Sequence, residues 1–318
     1  MLNILSTTNM SEKHRNRLSK QFPQHRFIYA VNPEEGRSAL PEADVLVTFG
    51  GGIREYTVKE ALRLKWMHIM SAGVDRLPFD QLINRQILIT NVRGIHAIQM
   101  AEYTFAVLLQ IVRRMQELAE AERQKRWEKR LRITELWGQT LGIIGVGAIG
   151  KEIARRAKVF GMRTVGVNTD GRAVDDVDEV YATRHLEQAL QESDFVILTV
   201  PLVPSTRHLI GRQALDAMKD SAYLINIARG PVVDEQALID ALEQKRIAGA
   251  VLDVFDEEPL PTEHPFWTMD NVIVTPHISG LSPMYMTRAV DVFIENLMHY
   301  SAGEIGKMQN VIDPKKQY

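Results

Sequence analysis

Short runs of apolar residues alternate along the first third of the chain with stretches in which apolar residues recur at three- or four-residue spacing. Short continuous runs are typical of strands buried on both faces, whereas the wider spacing is typical of amphipathic helices. Because parallel strands are joined through helical crossovers, the alternation predicts βα units and a parallel sheet. Helices are predicted over Ser11–Gln21 and near Val58–Leu64. The predicted strands are Leu2–Leu5, Phe27–Val31, Val45–Phe49, Met67–Met70 and Ile87–Thr90.

The pattern changes between Ala97 and Arg132. Apolar residues at helical spacing from Met100 to Leu118 predict one long amphipathic helix. We expect the charged stretch Glu117–Arg132 that follows to be either a solvated helix face or a helix that crosses to a partner subunit.

The alternation of strands and helices resumes at Thr140, and the chain closes with another amphipathic helix, Met286–Tyr300. Six predicted strands with helices between them are typical of one complete doubly wound nucleotide-binding unit. These strands are Leu141–Ile144, Thr164–Val167, Phe195–Val200, Tyr223–Ile227, Ala250–Leu252 and Val272–Thr275.

Composition changes this picture mainly by exclusion. The chain has 318 residues, 45% of them hydrophobic and 25% charged, which is typical of a globular protein of two domains. The 38 Lys and Arg residues nearly balance the 40 Asp and Glu residues, so no charge excess favours nucleic acid or a membrane as a partner. The sequence has no cysteine, which excludes disulfides, thiolate metal sites and cysteine nucleophiles. We expect no metal. Because the first residues lack a basic region and no apolar run is long enough to span a bilayer, we also expect a soluble, cytoplasmic protein.

A glycine motif follows the first of the six later strands. Gly145, Gly147 and Gly150 form the pattern G-x-G-x-x-G, and Ala148 and Ile149 begin the helix that follows. Strand, glycine loop, helix and next strand make a βαβ unit, which is the context in which this pattern binds a dinucleotide. We expect Gly145 to make the tight turn, Gly147 to allow close approach of a pyrophosphate, and Gly150 to permit helix–strand packing. The N–H groups at the start of the helix would then bind the phosphates.

The end of the second strand of this unit favours one nicotinamide cofactor over the other. Sites that prefer NAD usually have an acidic residue there, which accepts hydrogen bonds from the adenosine ribose. Asn168 takes that place without a charge, and Arg172 offers a cation to a 2′-phosphate. Asp170 remains an alternative acceptor for the ribose. NADP(H) is therefore favoured over NAD(H), with Asn168, Thr169 and Arg172 as predicted contacts.

Three charged or titratable residues follow later strands of the same predicted sheet. Ligands bind beyond the carboxyl ends of parallel strands, so Arg229, Glu258 and His277 are expected on the same edge as the glycine loop. Histidine transfers protons near neutral pH, a carboxylate on its second nitrogen fixes its tautomer, and arginine binds a carboxylate in bidentate fashion. Taken singly, each residue could equally be a surface ion pair, a loop charge or a turn residue. Together with a dinucleotide site, they indicate hydride transfer involving a 2-oxo or 2-hydroxy acid.

These residues lie in motifs that resemble the D-isomer-specific 2-hydroxyacid dehydrogenases over nearly the whole chain. The resemblance implies an α/β protein with two doubly wound parallel-sheet domains. A Rossmann-type dinucleotide-binding domain, 98–282, would be inserted in a flavodoxin-like substrate domain formed by 1–97 and 283–318. The family is usually dimeric through the nucleotide-binding domain, which favours a homodimer contact for the helix at Ile98–Met115. The matching segments are Ser71–Asp75, Met100–Tyr103, Leu141–Gly150, Val200–Leu202, Asn226–Gly230, Leu252–Val254, Glu258–Pro259 and Thr275–Ile278.

The resemblance also implies a role for each site residue. Arg229 would bind the carboxylate and oxo group of the substrate, His277 would protonate the carbonyl, and Glu258 would pair with His277. Asp253 would meet the nicotinamide amide. Substrate contacts are implied at Ala72, Gly73, Val74 and Arg229, and cofactor contacts at Pro201, Thr206, Ala228, Asp253 and Gly280.

Within the family, the segment Ser71–Asp75 looks closest to the glyoxylate/hydroxypyruvate reductase branch. The expected activity is D-specific hydride transfer between NAD(P)H and a small 2-oxo acid. A D-3-phosphoglycerate dehydrogenase-like enzyme and a non-enzymatic, NAD(H)-sensing protein resembling corepressors remain alternatives, because such relatives keep these motifs. Two residues depart from the family pattern. Asn168 replaces the usual acidic residue, and His96 belongs to an unusual lead into the long helix, where we expect a hinge or packing role.

Overall fold

The computed structural model describes residues 1–74 and 77–313, which divide into two compact units. One unit, the terminal unit, comprises Met1–Ile95 and Ser282–Tyr318, and the other, the central unit, comprises His96–Leu281. The units separate at 95/96 and 281/282, whereas the domain boundaries predicted from the sequence are 97/98 and 282/283.

The described residues form strands and helices that alternate along most of the chain. The strands are β1 (Asn3–Ser6), β2 (Arg26–Tyr29), β3 (Val45–Thr48), β4 (Trp66–Ile69), β5 (Leu88–Asn91), β6 (Thr140–Ile144), β7 (Arg163–Asn168), β8 (Glu179–Ala182), β9 (Phe195–Leu198), β10 (Tyr223–Asn226), β11 (Gly249–Leu252) and β12 (Val272–Val274). The helices are α1 (Glu12–Gln21), α2 (Glu55–Glu60), α3 (Phe79–Asn84), α4 (Ala97–Val112), α5 (Met115–Arg123), α6 (Ala148–Val159), α7 (Leu186–Glu192), α8 (Arg212–Ala217), α9 (Glu235–Glu243) and α10 (Tyr285–Ser301). Short 3-10 helices cover Arg37–Glu42, Thr183–His185, Gly230–Val232, Pro265–Trp267 and Ile305–Lys307.

Each unit contains one sheet, and every strand pairing in the two sheets is parallel. The terminal unit has the strand order β2-β1-β3-β4-β5, which is the flavodoxin-like order. The central unit has the order β12-β11-β10-β9-β6-β7-β8, so the direction of winding reverses between β6 and β9. Ligands of doubly wound sheets bind at the carboxyl ends of the two strands that flank such a reversal. The prediction of two doubly wound parallel-sheet domains is confirmed.

The sheet of the terminal unit is buried on both faces, which explains why its strands are continuous apolar runs. Alternate residues of a strand point to opposite faces. Leu46 therefore belongs to one core cluster, together with Leu82 of α3, while Val45 and Val47 belong to the other, together with Phe293 of α10. All five side chains are at most 1% exposed.

The central unit is built in the same way. Leu141 and Ile143 of β6 belong to the core cluster that contains Leu108 of α4 and Ile153 of α6. Ile144 belongs to the opposite cluster, which also contains side chains of α7, α8 and α9. Burial of both faces fixes the register of β6, because a shift by one residue would exchange the two faces. That register places the glycine loop at the edge where the winding reverses.

The prediction of one long helix from Met100 to Leu118 is wrong. Helix α4 ends at Val112, and Arg114 adopts a left-handed conformation with φ of 53° before α5 begins. Helix α5 ends at Arg123, and Lys125, two residues further on, is a second left-handed residue. The Arg126 N–H closes this helix end by donating to the Ala121 carbonyl. The charged stretch Glu117–Arg132 is therefore helical only as far as Arg123.

Two elements were not predicted, and one helix begins earlier than predicted. Strand β8 is an edge strand with an exposed Glu179, so it lacks the apolar run that marks the other strands. Helix α3 has only 6 residues, too few for a periodic pattern. Helix α2 covers Glu55–Glu60 rather than Val58–Leu64.

Candidate active site

The glycine loop connects β6 to α6, and each of its glycines has a separate structural reason. Gly145 has φ of +103°, and a Cβ there would lie 2.9 Å from the backbone nitrogen of Val200. A Cβ at Gly150 would lie 2.7 Å from the Gly145 carbonyl oxygen, so glycine is needed where helix and loop touch. A Cβ at Gly147 would meet nothing within 4 Å. The space that Gly147 leaves open, beside the start of a 12-residue helix, fits the pyrophosphate of a dinucleotide.

Ala148 and Ile149 are the first residues of α6. The N–H groups in the first turn of a helix have no acceptor within that helix, so they are available to phosphate oxygens. The partial positive charge of the helix N-terminus adds to this attraction. The backbone of this turn therefore carries the phosphate-binding chemistry, and the side chains need only leave room for it.

Asn168 shapes the turn that follows β7. Its Oδ1 accepts a hydrogen bond from the Gly171 N–H at 2.6 Å, and its Nδ2 donates to the Arg172 carbonyl at 2.8 Å. The Arg172 guanidinium lies 3.1 Å from the Asp170 carboxylate, and both side chains are exposed, as is Thr169. The hydrogen bond from the Arg172 N–H, with the nearby guanidinium, lowers the pKa of Asp170. The turn thus presents an amide, a hydroxyl and an ion pair, but no lone carboxylate.

Arg229 lies in the loop that follows β10. The Asn226 side chain accepts from the Ala228 N–H and donates to the Arg229 carbonyl, both at 3.0 Å, and so fixes the backbone of this loop. A Cβ at Gly230 would lie 2.0 Å from the carbonyl carbon of Phe255. Only glycine allows this approach, which joins the loops after β10 and β11.

His277 and Glu258 form a direct pair. The Nδ1 of His277 lies 2.8 Å from the Oε2 of Glu258, and the Oε1 of Glu258 accepts from the Phe255 N–H at 3.1 Å. The second bond holds the carboxylate in place. With Nδ1 committed to Glu258, Nε2 is the ring nitrogen that can exchange a proton with a ligand. The His277 side chain is 47% exposed, so solvent and ligands can reach it.

Asp253 organises the loop that carries His277, which we call the histidine loop (residues 275–280). Its buried carboxylate accepts from the Thr275 hydroxyl at 2.5 Å and from the N–H groups of Ile278 and Ser279, both at 2.9 Å. A carboxylate has about four acceptor positions, so these bonds leave one for a further donor. The structure therefore assigns Asp253 a structural task that sequence reasoning missed, beside the implied contact with the nicotinamide amide.

The other predicted cofactor residues lie in loops of the same sheet edge. The Thr206 hydroxyl donates to the Pro201 carbonyl at 2.6 Å and accepts from the Val203 N–H at 2.9 Å, which stiffens the loop after β9. Ala228 is buried beside Arg229. Gly280 ends the histidine loop.

His96 is the residue before α4 and packs against the histidine loop. A Cβ at Gly280 would lie 3.2 Å from the Cδ2 of His96. Burial, together with the charge of Arg229, lowers the pKa of His96 to about 4. The imidazole is therefore neutral at physiological pH. A ring with so low a pKa is a weak base, which agrees with a packing role and gives no support to a second base.

The residues predicted to bind the substrate carboxylate follow β4 in the terminal unit. The Asn91 side chain donates to the Ala72 carbonyl at 2.7 Å, and the Ser71 hydroxyl donates to the Gly73 carbonyl at 2.9 Å. Val74 is buried in the core. Asp75, the last residue of the predicted motif, lies outside the described residues.

Residues 1–74 and 77–313 contain neither a candidate metal centre nor a candidate membrane span. No group of three His, Cys, Asp or Glu side chains there could hold a metal ion. No helix in that part of the chain is both long and apolar enough to cross a membrane.

Comparison with known proteins agrees with this geometry. The family model for the NAD binding domain of D-isomer specific 2-hydroxyacid dehydrogenases matches residues 105–279. The chain belongs to this family. It is thus an oxidoreductase of 2-hydroxy acids that uses a nicotinamide cofactor, and the prediction of an enzyme is confirmed.

Curated relatives in this family are named as enzymes of three kinds. A glyoxylate reductase of Korarchaeum cryptofilum is 37% identical over 84% of this chain and 82% of its own length. A glyoxylate/hydroxypyruvate reductase B of Yersinia pestis is 33% identical over 94% of this chain and 93% of its own. A D-3-phosphoglycerate dehydrogenase of Methanocaldococcus jannaschii is 34% identical over 89% of this chain, which spans only 54% of that relative.

Solved structures of the family have the same fold. A family member from Aeromonas salmonicida has a TM-score of 0.89 and 31% identity, covering 98% of this chain and 99% of its own. A D-isomer specific 2-hydroxyacid dehydrogenase from Xanthobacter autotrophicus, solved with NADPH and MES, has a TM-score of 0.84 and 27% identity, covering 100% of this chain and 99% of its own.

Proposed function

We propose that this enzyme reduces small 2-oxo acids of the glyoxylate and hydroxypyruvate type to D-2-hydroxy acids, with NADPH preferred over NADH. The observation that carries the proposal is the His277–Glu258 pair, at 2.8 Å, in the same sheet edge as Arg229 and the glycine loop. The relatives named glyoxylate reductase and glyoxylate/hydroxypyruvate reductase support the substrate class.

The glycine loop and α6 are proposed to hold the cofactor by its pyrophosphate. The open space at Gly147 and the N–H groups of Ala148 and Ile149 support this role. Pro201, Thr206 and Ala228 are proposed to complete the binding surface. A bound nicotinamide supplies the hydride that a carbonyl carbon accepts during reduction.

Arg229 is proposed to bind the carboxylate of the substrate. Its guanidinium donates one hydrogen bond to the Ala228 carbonyl at 2.7 Å. This bond orients the planar group and leaves its other N–H groups for a ligand. A planar fork of donors matches a carboxylate and stays charged at every working pH. The backbone of Ala72, Gly73 and Val74 is proposed as a further contact, on the strength of the family resemblance.

His277 is proposed to deliver the proton to the carbonyl oxygen during reduction and to remove it during oxidation. The carboxylate of Glu258 on Nδ1 stabilises the imidazolium and leaves Nε2 to hold the transferred proton. Protonation of the oxygen prevents a full negative charge from building up there as the carbon is reduced. General acid–base catalysis of this kind contributes about 10²–10⁴-fold to a rate.

The preference for NADPH is proposed from the turn after β7. Asn168 replaces a carboxylate that would repel a 2′-phosphate, and its side chain bonds only to the backbone of its own turn among the described residues. Thr169 and Arg172 are exposed and are proposed as the phosphate contacts. For this the Arg172 guanidinium must turn away from Asp170, and exposed ion pairs of this kind are weak.

A homodimer is proposed through α4 and the start of α5. Three large apolar side chains there are exposed, Ile98 by 42%, Leu109 by 37% and Met115 by 51%. Exposed apolar surface of this kind marks interaction sites when it is contiguous. Sedimentation of the wild-type chain and of Leu109→Glu would test this, and a monomeric wild-type chain would contradict it.

The proposal is tested by oxidation of NADPH and NADH, side by side, with glyoxylate, hydroxypyruvate, pyruvate and phenylpyruvate. We expect turnover above about 1 s⁻¹ with the two- or three-carbon acids. His277→Gln should lower kcat by at least about 100-fold while NADPH binding is retained. Near-normal turnover of that variant would contradict the role of His277.

The alternative is oxidation of D-3-phosphoglycerate, which the relative with that name favours. The same assay with 3-phosphoglycerate and NAD distinguishes the two. Turnover of this phosphorylated acid, without reduction of glyoxylate or hydroxypyruvate, would replace the proposed substrate class.

A further inference from the structure

Helix α4 and the residue before it present three side chains on one side to the histidine loop. His96, Gln99 and Tyr103 are spaced by three and four positions, so they lie on the same side of the helix. The Gln99 side chain donates to the Gly280 carbonyl at 3.2 Å, and His96 packs against the same glycine. The Tyr103 hydroxyl lies 2.6 Å from the Oγ1 of Thr275. The side chains on this side of α4 therefore contact both ends of the histidine loop, Thr275 and Gly280.

The hydrogen bonds at Tyr103 form a chain with a defined direction. A carboxylate can only accept, so the Thr275 hydroxyl donates its proton to Asp253 at 2.5 Å. Thr275 then accepts, and Tyr103 is the donor. Burial raises the pKa of Tyr103 to about 12, so its hydroxyl keeps the proton at every working pH.

The chain ends on the turn that presents His277. His277 has φ of +53°, a left-handed conformation that a residue with a side chain adopts only when its surroundings hold it there. Its N–H donates to the Asp253 carbonyl at 2.8 Å, and the Asp253 carboxylate binds the N–H groups of Ile278 and Ser279. Asp253 therefore holds the turn through three backbone hydrogen bonds.

We infer that Tyr103 is a positioning residue for His277, which it holds through Thr275 and Asp253 without contacting the substrate. The inference rests on the proposed function of His277. The Tyr103 hydroxyl fixes the Thr275 side chain in the rotamer that reaches Asp253. Without that hydroxyl, Thr275 can turn away, and the carboxylate that holds the strained turn loses one of its donors.

Tyr103→Phe removes the hydroxyl and keeps the ring. We expect kcat with glyoxylate and NADPH to fall about tenfold, part of the about 10²–10⁴-fold that a general acid contributes. KM for glyoxylate and Kd for NADPH should stay within about twofold, because a group that acts only on the proton donor affects the transition state and not ground-state binding. The matched control is Tyr181→Phe, which removes an exposed hydroxyl bonded to Glu179 and Glu192 in the same unit and should leave kcat unchanged.

A double-mutant cycle shows whether Tyr103 acts through His277. In a His277→Gln background, Tyr103→Phe should cause no further loss of kcat, because the group that it positions is gone. The same tenfold loss in both backgrounds, or no loss in the parent, would overturn the inference while leaving the proposed function intact. A His277→Gln variant with normal kcat would overturn the proposed function and this inference with it.

Thr275→Val breaks the same chain at its middle and gives an independent test. It should lower kcat by about the same factor as Tyr103→Phe, with no added loss in the double variant. If the two losses multiply, Tyr103 and Thr275 do not act as one chain and the inference is wrong. Melting temperatures and NADPH Kd of all variants identify any that has failed to fold.

Discussion

His68 makes the terminal unit sensitive to acid. The side chain is fully buried in β4, and its ring packs against Phe293 with 5.1 Å between ring centroids. The Thr90 hydroxyl accepts from the Trp66 indole N–H at 2.8 Å and lies 2.8 Å from the Nδ1 of His68. The other ring nitrogen, Nε2, has no hydrogen-bond partner among the described residues. Burial lowers the pKa of His68 to about 3.

The size of the acid effect follows from this pKa. In the unfolded chain the pKa of a histidine is about 6.5, so between pH 6.5 and about 3 the unfolded state binds more protons than the folded state. The stability that the neutral ring contributes is complete above pH 6.5 and is lost as the pH falls. At about 1.36 kcal/mol per pH unit, the loss reaches about 2 kcal/mol at pH 5 and about 4 kcal/mol at pH 3, where the folded-state ring is itself half protonated.

The assay is urea unfolding of the wild-type chain and of His68→Asn at several pH values from 7.5 to 5. An Asn side-chain amide can replace Nδ1 as the hydrogen-bond partner of Thr90, because it can accept or donate, but it does not titrate in this range. Tryptophan emission reports on this unit, because Trp66 is completely buried while Trp127, Trp137 and Trp267 are 87%, 75% and 52% exposed. His14 and His25, whose pKa values are also lowered by burial, are the same in both proteins, so their contribution cancels in the difference.

We expect His68→Asn to be less stable than the wild-type chain at pH 7.5, because the smaller side chain leaves a gap beside Phe293. The difference should shrink by about 2 kcal/mol at pH 5, because only the wild-type chain loses stability through His68. Parallel pH dependence of the two proteins would refute the reasoning, since it would mean that His68 is not kept neutral by the fold.

Three further predictions concern the candidate site. Gly147→Ala should weaken NADPH binding by about tenfold or more without lowering the melting temperature. Gly150→Ala should lower the melting temperature by several degrees, because its Cβ would lie 2.7 Å from the Gly145 carbonyl oxygen. Cofactor titration measures the first effect and calorimetry the second. Arg229→Gln should raise KM for glyoxylate by about 10–100-fold, because the substrate carboxylate loses a charge-assisted hydrogen bond that contributes about 1.5–3 kcal/mol. An unchanged KM would show that Arg229 does not bind the substrate. Asn168→Asp should shift the ratio of kcat/KM values toward NADH, and an unchanged ratio would contradict the proposed cofactor preference.

The sequence was most informative where burial on two faces controls the pattern. The continuous apolar runs at β3, β6 and β9 could be recognised because both faces of each sheet are covered. Once the strands of the central unit were placed, the rule that ligands bind at the carboxyl ends brought Arg229, after β10, and His277, after β12, to one edge. The glycine loop was predictable for a related reason, since Gly145 and Gly150 answer steric demands of the βαβ unit and Gly147 leaves open space for a ligand.

The sequence was least informative where one side chain acts on a distant loop. Tyr103 and Thr275 are 172 residues apart, and nothing in their local patterns indicates that their hydroxyl groups meet. The break between α4 and α5 was missed because its left-handed residue is Arg114, a residue type that carries no turn signal. The edge strand β8 was missed because an edge strand with an exposed face needs no apolar run.

The conformation of His277 shows why a structural network surrounds the proposed proton donor. A left-handed residue with a side chain costs on the order of 1–3 kcal/mol. Hydrogen bonds to a charged group contribute about 1.5–3 kcal/mol each, and the Asp253 carboxylate receives one from each of Thr275, Ile278 and Ser279. The three bonds together exceed the strain, so the turn is held even if one is lost. Loss of the Tyr103 hydroxyl should therefore alter the precision of His277 rather than unfold the loop, which is why its effect is expected in kcat and not in stability.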